Sequence, residues 1–137
     1  MNALTPSIAS LVLDTSCLVA IIATEPESEA FKACISQATN LHLSAVSRVE
    51  LGMVVKQRNL DQQLLEVLAG LQVKIVAFDD SQAQLAIAAF TQFGKGRHKA
   101  GLNFGDCCAY ALAKSLKLPL LFKGNDFAQT DITSALD

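Results

Sequence analysis

The sequence has few of the residues on which common catalytic and binding sites depend. Its 137 residues include no tryptophan, one tyrosine and two histidines, His42 and His98. With so few histidines and no CxxC pair, a zinc site is not expected. Aromatic residues make up 6% of the chain, which argues against a platform of stacked rings for single-stranded nucleic acid. The absence of P-loop, GxGxxG and GxSxG motifs argues against NTPase, dinucleotide and serine-hydrolase chemistry.

Positive charge and long apolar runs are scarce as well. Lys and Arg number 11 against 13 Asp and Glu, a net charge of −2, so nucleic acid would need a local basic patch. No apolar run approaches the roughly 18–20 residues of a membrane-spanning helix, and the first ten residues lack the charged segment of a signal peptide. The four cysteines form no recognisable disulfide framework, and we interpret them as reduced thiols of a cytoplasmic protein. They are Cys17, Cys34, Cys107 and Cys108.

The pattern of apolar residues predicts the fold class. Hydrophobic residues account for 51% and charged residues for 18%, which is typical of a compact chain, and we assign residues 1–137 to a single domain. Short apolar runs alternate with helical segments, so we predict a three-layer α/β/α sandwich with a mainly parallel central sheet. The predicted strands are residues 11–14, 41–43, 73–78 and 120–122, with a possible short last strand at 131–133. The predicted helices begin near residues 15, 26, 45, 61, 79 and 104.

Two local features accompany the first two predicted helices. Thr15 is a suitable cap for the first helix. The acids of residues 25–29 are interpreted as surface partners of the dipole of the second helix, with Pro26 near its first position.

Asp14 is the first candidate site residue. It follows an uninterrupted apolar run at residues 11–13, which is typical of a central strand buried on both faces. Open α/β sheets bind their ligands beyond the carboxyl ends of the strands, and a buried carboxylate needs a compensating partner. We therefore predict a functional role for Asp14.

Glu50 is the second candidate. On a helical wheel it falls inside one apolar sector. That sector is formed by Val46, Val49, Met53 and Val54. An acid at the rim of the apolar stripe, or one paired with a buried cation, is the ordinary structural explanation. The alternative is an acid directed inward at a metal ion.

Asp106 and Asp126 complete the set of candidate acids. Asp106 lies in the first turn of the sixth predicted helix, where capping and the helix dipole favour acids, and Gly105 before it would let a ligand or ion approach the backbone. Asp126 lies in the turn after the strand at 120–122, where turn geometry favours Asp and Asn. Asn125 beside it competes for the same role.

Together, the four acids indicate a metal site. Two would lie at strand ends, one on a helix and one at a helix start, all on the same side of the sheet. Carboxylates placed so close would raise one another's pKa, and a hard divalent cation relieves that repulsion. Oxygen-rich sites with few His or Cys ligands favour Mg²⁺ or Mn²⁺. The pattern therefore predicts metal-dependent cleavage of phosphodiesters.

Four segments that contain these acids resemble one known family. They are LDTS at 13–16, SAVSRVEL at 44–51, GLNFGDC with AYALA at 101–113, and LFKGNDFAQTDI at 121–132. In these segments the chain resembles the PIN-domain ribonucleases, in particular the VapC-type toxins of bacterial toxin–antitoxin pairs, over nearly its whole length. The resemblance implies a parallel sheet between helices, and one or two Mg²⁺ or Mn²⁺ ions for endonucleolytic cleavage of single-stranded RNA.

The resemblance also implies roles and partners. The family's four acids correspond to Asp14, Glu50, Asp106 and Asp126. The supporting residues would be Thr15, Ser16 and Asn125. Members of the family typically form homodimers and are inhibited by a cognate antitoxin, a separate chain whose tail enters the active-site groove.

RNA would need positive charge near the acids. A Gly-bracketed basic loop offers three cations, with His98 as a fourth if it is protonated, and two further cations lie near the acids in sequence. The loop residues are Lys95, Arg97 and Lys99, and the other two are Arg48 and Lys123.

Two alternative functions remain open. One is a different Mg²⁺-dependent phosphohydrolase on an α/β sheet, although no second acid stands two residues after Asp14, where a haloacid-dehalogenase-like phosphatase needs one. The other is a PIN-like module that binds RNA or a partner without cleavage, and the presence of all four acids argues against it.

Overall fold

A sheet of four short strands lies at the centre of the molecule. The structure is a computed structural model that describes residues 10–136, so nearly all of the first ten residues, where no signal peptide is expected, lie outside the described part. The strands are β1 (Ser10–Leu13), β2 (Asn40–Ser44), β3 (Lys74–Val76) and β4 (Leu120–Leu121). They stand in the order β3-β2-β1-β4, and every pairing is parallel.

Helices connect the strands. They are α1 (Thr15–Ile22), α2 (Ser28–Ser36), α3 (Ala45–Gln57), α4 (Asp61–Leu71), α5 (Asp80–Phe93) and α6 (Phe104–Leu116), followed by a 3-10 turn at Phe127–Gln129. Within residues 10–136, none of these helices combines the length and the hydropathy that crossing a membrane requires.

The alternating residues of β1 separate two cores. Leu11 and Leu13 belong to a core that β1 shares with α1 to α4. Val12 belongs to a second core, formed with α5 and α6, because successive strand residues face opposite sides of a sheet. All three side chains are fully buried. Helices therefore cover both faces of a parallel sheet, which confirms the predicted three-layer α/β/α sandwich.

The strand register brings three chain segments to one edge of the sheet. The Asp14 N–H donates to the Leu121 carbonyl at 2.9 Å, so Asp14 and the turn after β4 leave the sheet side by side. Ser44 ends β2 and caps α3 with its side chain. The carboxyl ends of β1, β2 and β4 thus lead into the segments that carry Asp14, Glu50 and Asp126.

The main differences from the predicted elements are in β3, in the possible last strand and at the start of α2. β3 is three residues long instead of six, because it is an edge strand and only the residues paired with β2 belong to it. The possible last strand at 131–133 is reduced to one bridge between Leu120 and Ser134. α2 begins at Ser28 rather than near residue 26, because the chain first makes a turn in which the Ser28 N–H donates to the Glu25 carbonyl at 2.9 Å.

Candidate active site

Asp14 joins the end of β1 to the start of α1. The residue is 5% exposed, and its Oδ2 accepts hydrogen bonds from the Ser16 N–H at 3.0 Å and from the Ser16 hydroxyl at 2.5 Å. Asp14 is therefore the cap of α1, and the prediction that Thr15 is the cap was wrong. The short carboxylate of Asp14 takes this place because it reaches the second N–H of the helix.

Burial makes Asp14 an unusual carboxylate. Burial is the main reason that the pKa of Asp14 is raised from 3.8 to about 6. The charges of Asp106 and Glu50 contribute to this rise, and the two hydrogen bonds from Ser16 oppose it. A buried carboxylate that faces like charges is costly to keep ionised. The fold carries this cost at the position where the sequence predicts a functional acid.

Glu50 reaches the same place from α3. The Thr15 hydroxyl donates to Glu50 Oε1 at 2.7 Å and lies 3.3 Å from the Ser47 carbonyl oxygen. A hydroxyl has one hydrogen to donate, and the shorter contact is the one to the carboxylate, which is the stronger acceptor. Thr15, the first residue of α1, is therefore hydrogen-bonded to the Glu50 carboxylate on α3.

The surroundings of Glu50 differ from the predicted apolar sector. Val49 and Met53 are 58% and 66% exposed, so the sector as a whole does not face the core, and that part of the prediction was wrong. The buried residues of α3 are Ser47, Leu51 and Val55. Glu50 is half-buried at the edge of this face, and its carboxylate accepts from the Thr15 hydroxyl.

Gly105 allows α6 to approach the Glu50 carboxylate. A Cβ atom at position 105 would lie 2.9 Å from Cδ and Oε1 of Glu50, closer than a side chain can come without displacing its neighbour. The absence of a side chain at Gly105 thus allows a close approach to the backbone of α6, where the sequence predicts the approach of a ligand or ion. The group that approaches it in the structure is the side chain of Glu50.

Asp106 has a structural and an electrostatic role at once. In a capping box, the Asp106 N–H donates to Asn103 Oδ1 at 2.9 Å, and the Asn103 N–H donates to Asp106 Oδ2 at 3.0 Å. Partial burial raises the pKa of Asp106, the Asn103 hydrogen bond lowers it, and the charges of Asp126 and Glu50 raise it. The capping explanation is therefore correct, and the same carboxylate also interacts with the other acids.

Asp126 joins the cluster from the turn after β4. It precedes the 3-10 turn and is exposed, as is Asn125 beside it. The charge of Asp126 acts on Asp106. Within residues 10–136, no comparable interaction links Asn125 to the acids. Asp126 is thus the member of this pair that is electrostatically connected to the other carboxylates.

The four acids offer ligands that suit a hard divalent cation. All are carboxylates, and Asp14 and Asp106 feel the charges of others in the set, a repulsion that a bound cation would remove. Among residues 10–136, no three His, Cys, Asp or Glu side chains stand in a ready metal-ligating arrangement. Asp14, Glu50 and Asp106 are hydrogen-bonded to neighbouring residues instead. The donor chemistry fits Mg²⁺ or Mn²⁺, and local hydrogen bonds hold the donors.

The basic loop between α5 and α6 is closed by its own backbone. Gly94 and Leu102 form a parallel bridge, and the Lys95 N–H donates to the Leu102 carbonyl at 2.9 Å. The loop then leads directly into the capping box of α6. Its three cations are exposed on the surface. They are Lys95, Arg97 and Lys99.

Two loop side chains pack on aromatic rings of α5. The Arg97 guanidinium lies over the Phe90 ring, 5.2 Å from its centroid. His98 packs edge-on against Phe93, with ring centroids 5.2 Å apart. The His98 Nδ1 accepts a hydrogen bond from the Ala100 N–H at 3.0 Å. Phe93 and the backbone of the loop thus hold the His98 ring in place.

Lys123 and Arg48 are placed differently from the loop cations. Lys123 Nζ lies 2.9 Å from Glu25 Oε1 and 3.6 Å from Glu27 Oε1. These acids are therefore ion-pair partners, not only partners of a helix dipole. Arg48 is half-buried on α3, about 200° around the helix from Glu50. The two side chains leave α3 on nearly opposite sides.

Sequence reasoning missed the connection between Glu25 and the candidate site. Glu25 and Lys123 are 98 positions apart, and no local periodicity or motif relates residues at that distance. The single sequence carried no signal that could have paired them.

Comparisons with known proteins agree with this geometry. The PIN domain family matches residues 11–132. The chain is 42% identical over 127 residues to Ribonuclease VapC30 of Mycobacterium tuberculosis, an alignment that covers 90% of this chain and 97% of the relative. Its fold is similar to the crystal structure of Mycobacterium tuberculosis VapC20, a sarcin-ricin loop cleaving toxin, with a TM-score of 0.73, 14% identity and coverage of 90% and 96%. A toxin–antitoxin complex from Klebsiella pneumoniae gives a TM-score of 0.69, 18% identity and coverage of 88% and 92%.

Proposed function

The chain belongs to the PIN-domain family of VapC ribonucleases, and on that basis we propose that it is a divalent-metal-dependent endoribonuclease that cleaves single-stranded RNA as the toxin of a toxin–antitoxin pair. The observation that carries this proposal is the cluster of four carboxylates contributed by four separate segments of the chain. A relative at 42% identity is named a ribonuclease, and a protein of the same fold is described as cleaving the sarcin-ricin loop.

The four acids would have different roles in the metal site. Asp14, Glu50 and Asp106 would hold a Mg²⁺ or Mn²⁺ ion, and Asp126 would hold a second ion or orient the attacking water. When bound, such an ion lowers the pKa of a water molecule and neutralises charge on the phosphate. Without it, the clustered negative charge of the acids would repel the RNA backbone. This is why the proposed activity requires a divalent cation.

Two hydroxyls of α1 would keep the acids in place. Thr15 donates to Glu50 Oε1, and Ser16 donates to Asp14 Oδ2. Each bond uses one oxygen of its carboxylate as acceptor and so sets the orientation of the whole group. A fixed orientation is what ligands need in order to bind a cation in one geometry.

The basic loop is the proposed contact for the RNA backbone. Its cations are exposed beside the N-terminus of α6, which carries Asp106. Lys and Arg bind phosphates without reading the base sequence. The residues concerned are Lys95, Arg97 and Lys99.

An antitoxin and a second copy of the chain are the proposed partners. The similarity in fold to a toxin–antitoxin complex supports the first. Large apolar side chains exposed on α3, α5 and α6 support the second, because such side chains commonly mark protein interfaces. They are Val49, Met53, Ile87, Phe90 and Phe104. The four cysteines are free thiols, in agreement with the reducing cytoplasm that we propose as the location.

Cleavage of labelled single-stranded RNA tests the proposed activity. We expect cleavage with Mg²⁺ or Mn²⁺, none with a chelator, and none in Asp14→Asn, whereas Asp80→Asn at the exposed start of α5 keeps full activity. Cleavage that persists in Asp14→Asn or in the chelator would contradict the mechanism. Faster release of phosphate from a chromogenic monoester than cleavage of RNA would favour the phosphohydrolase alternative.

A further inference from the structure

The turn that carries Asp126 is tied to two other parts of the site by a single residue. The Lys123 N–H donates to Ser16 Oγ at 3.0 Å. Its ammonium lies 2.9 Å from Glu25 Oε1 and 3.6 Å from Glu27 Oε1. One main-chain bond thus joins this turn to the start of α1, and two ionic contacts join it to the connection between α1 and α2.

The main-chain bond has a fixed direction. The Lys123 N–H can only donate, so the Ser16 oxygen accepts from it. The single hydroxyl hydrogen of Ser16 then remains for Asp14 Oδ2, at 2.5 Å. Hydrogen bonds in such a chain polarise one another, so acceptance from Lys123 strengthens the bond to Asp14. The turn after β4 therefore acts on Asp14 through Ser16.

The ionic contact lies near the surface. The side chains of Lys123 and Glu25 are 38% and 25% exposed, and Arg58 Nη1 lies 3.7 Å from the other carboxylate oxygen of Glu25. The Glu25 backbone is itself fixed to the end of α1, because its N–H donates to the Ala20 carbonyl at 2.8 Å. Ion pairs of this kind contribute little to global stability. Their loss should change the position of the turn and leave the chain folded.

We propose that Lys123 is a positioning residue, which holds the turn carrying Asp126 against Asp14 and Ser16 instead of contacting RNA. This inference rests on the proposed function, in which Asp126 takes part in the metal site. The charges support it, because Glu25 and Glu27 already neutralise the ammonium, and an RNA phosphate would have to displace them. The exposed cations of the basic loop have no such acidic partners in the part of the chain that the structure describes.

Substitutions at both ends of the ion pair test this role. We expect Lys123→Met and Glu25→Gln each to lower kcat roughly tenfold with little change in KM, because small displacements at a catalytic site slow turnover. The double variant should lose no more activity than the more impaired of the two single variants, since both substitutions remove the same contact. Lys123→Arg, which keeps the charge, should restore most of the activity.

A second ion pair of the chain provides the matched control. Lys32 Nζ lies 3.3 Å from Glu29 Oε2 on the exposed side of α2, with no link to the acids in residues 10–136. Lys32→Met should leave kcat and KM unchanged. A tenfold loss of kcat in this variant too would overturn the proposal, because it would trace the effect to lost surface charge.

Direct RNA contact by Lys123 would give the opposite pattern. Lys123→Met would then raise KM and make KM less dependent on salt concentration, with kcat unchanged. Glu25→Gln would free the ammonium and lower KM. Either result would overturn the proposal.

A measurement without substrate separates this inference from the proposed function. Backbone amide exchange at Lys123, whose N–H is bonded to Ser16 Oγ, should be roughly tenfold faster in Glu25→Gln and in Ser16→Ala than in the wild type, because both changes release the turn. Unchanged exchange in both variants would overturn the positioning role. If the wild type cleaves no RNA, the proposed function fails, and the exchange rates still decide the role of Lys123.

Discussion

Gly105 and the carboxylate of Glu50 are in such close contact that a Cβ atom at position 105 would lie 2.9 Å from Glu50 Cδ. Gly105 lies next to Asp106, at the start of α6, and Glu50 lies on α3. The contact therefore brings acids from two helices to one site. It requires a residue without a side chain at position 105, unless Glu50 moves.

Gly105→Ala should displace Glu50 and remove activity. The Glu50 carboxylate is the end of a flexible, half-buried side chain, so it can move aside at little cost, and alanine in a helix gains up to about 1 kcal/mol over glycine. We therefore expect the free energy of unfolding to change by less than about 1 kcal/mol, together with a large loss of RNA cleavage. Denaturant unfolding and the cleavage assay, run on the same preparation, measure both effects.

Gly70 provides the matched control for this substitution. It also lies in a helix, α4, but a Cβ atom there meets nothing within 4 Å. Gly70→Ala should raise the free energy of unfolding by about 0.4–1 kcal/mol and leave cleavage unchanged. Full activity in Gly105→Ala would show that Glu50 tolerates displacement, contrary to the role proposed for it.

Asp14→Asn should stabilise the metal-free protein at neutral pH. The pKa of Asp14 is raised to about 6, so between pH 3.8 and about 6 the folded protein binds more protons than the unfolded chain. Its stability therefore falls as pH rises through this window, and the full cost, about 1–3 kcal/mol, is present above it. Asparagine carries no charge and avoids this cost.

Unfolding curves at pH 4 and pH 7.5 in a chelator measure this difference. The stability of Asp14→Asn relative to the wild type should increase between the two pH values, while cleavage is lost. A variant that is less stable than the wild type at pH 7.5 would contradict the burial cost assigned to Asp14.

Divalent cations should stabilise the wild type through the acid cluster. A cation that binds only the folded state at a concentration of 100 Kd adds about 2.7 kcal/mol, and the Tm should rise accordingly with Mn²⁺. Asp106→Asn should lose most of this increase. Asp80→Asn, in which the lost carboxylate accepts from the Gln84 side chain at 2.7 Å, should keep it. Equal shifts in all three proteins would indicate binding elsewhere.

The loop cations should affect RNA binding but not turnover. Arg97→Ala and Lys99→Ala should each raise KM. Each should also reduce the slope of the logarithm of RNA affinity against the logarithm of salt concentration by about 0.7, the value for one phosphate contact on a single strand. Lys74→Ala on the exposed edge strand β3 serves as the control, with no change expected. Loss of kcat at constant KM in the loop variants would place these cations in the chemistry rather than in binding.

The exposed apolar side chains of α3 and α5 should be buried in a homodimer. Met53→Asp and Ile87→Asp, at positions 66% exposed, should therefore shift the protein from dimer to monomer in sedimentation or light-scattering measurements. Leu65→Asp on α4 also replaces an exposed apolar side chain by aspartate, at a position 58% exposed, and it should leave the dimer intact. Dissociation by Leu65→Asp alone would move the interface to α4.

Local sequence patterns were sufficient for most of the secondary structure. The start of the sixth helix near residue 104 and the place of Asp106 in its first turn were predicted correctly, because the helical pattern and the capping box depend on neighbours within one turn. The start of α2 was misplaced, because a turn between Glu25 and Ser28 competes with the helix signal of Pro26. The apolar sector around Glu50 was misjudged, because a helical wheel shows which residues share a face but not which face is covered.

The sequence alone determined the alternation of strands and helices, the four candidate acids and the chemistry of their oxygen ligands. These properties follow from residue type and short spacing. Only the tertiary structure decided which groups surround each acid: the Thr15 bond to Glu50, the contact at Gly105, and the ionic link from Lys123 to Glu25. Those contacts join positions 35 to 98 residues apart. Their partners are set by sheet register and helix packing, which no short stretch of sequence specifies.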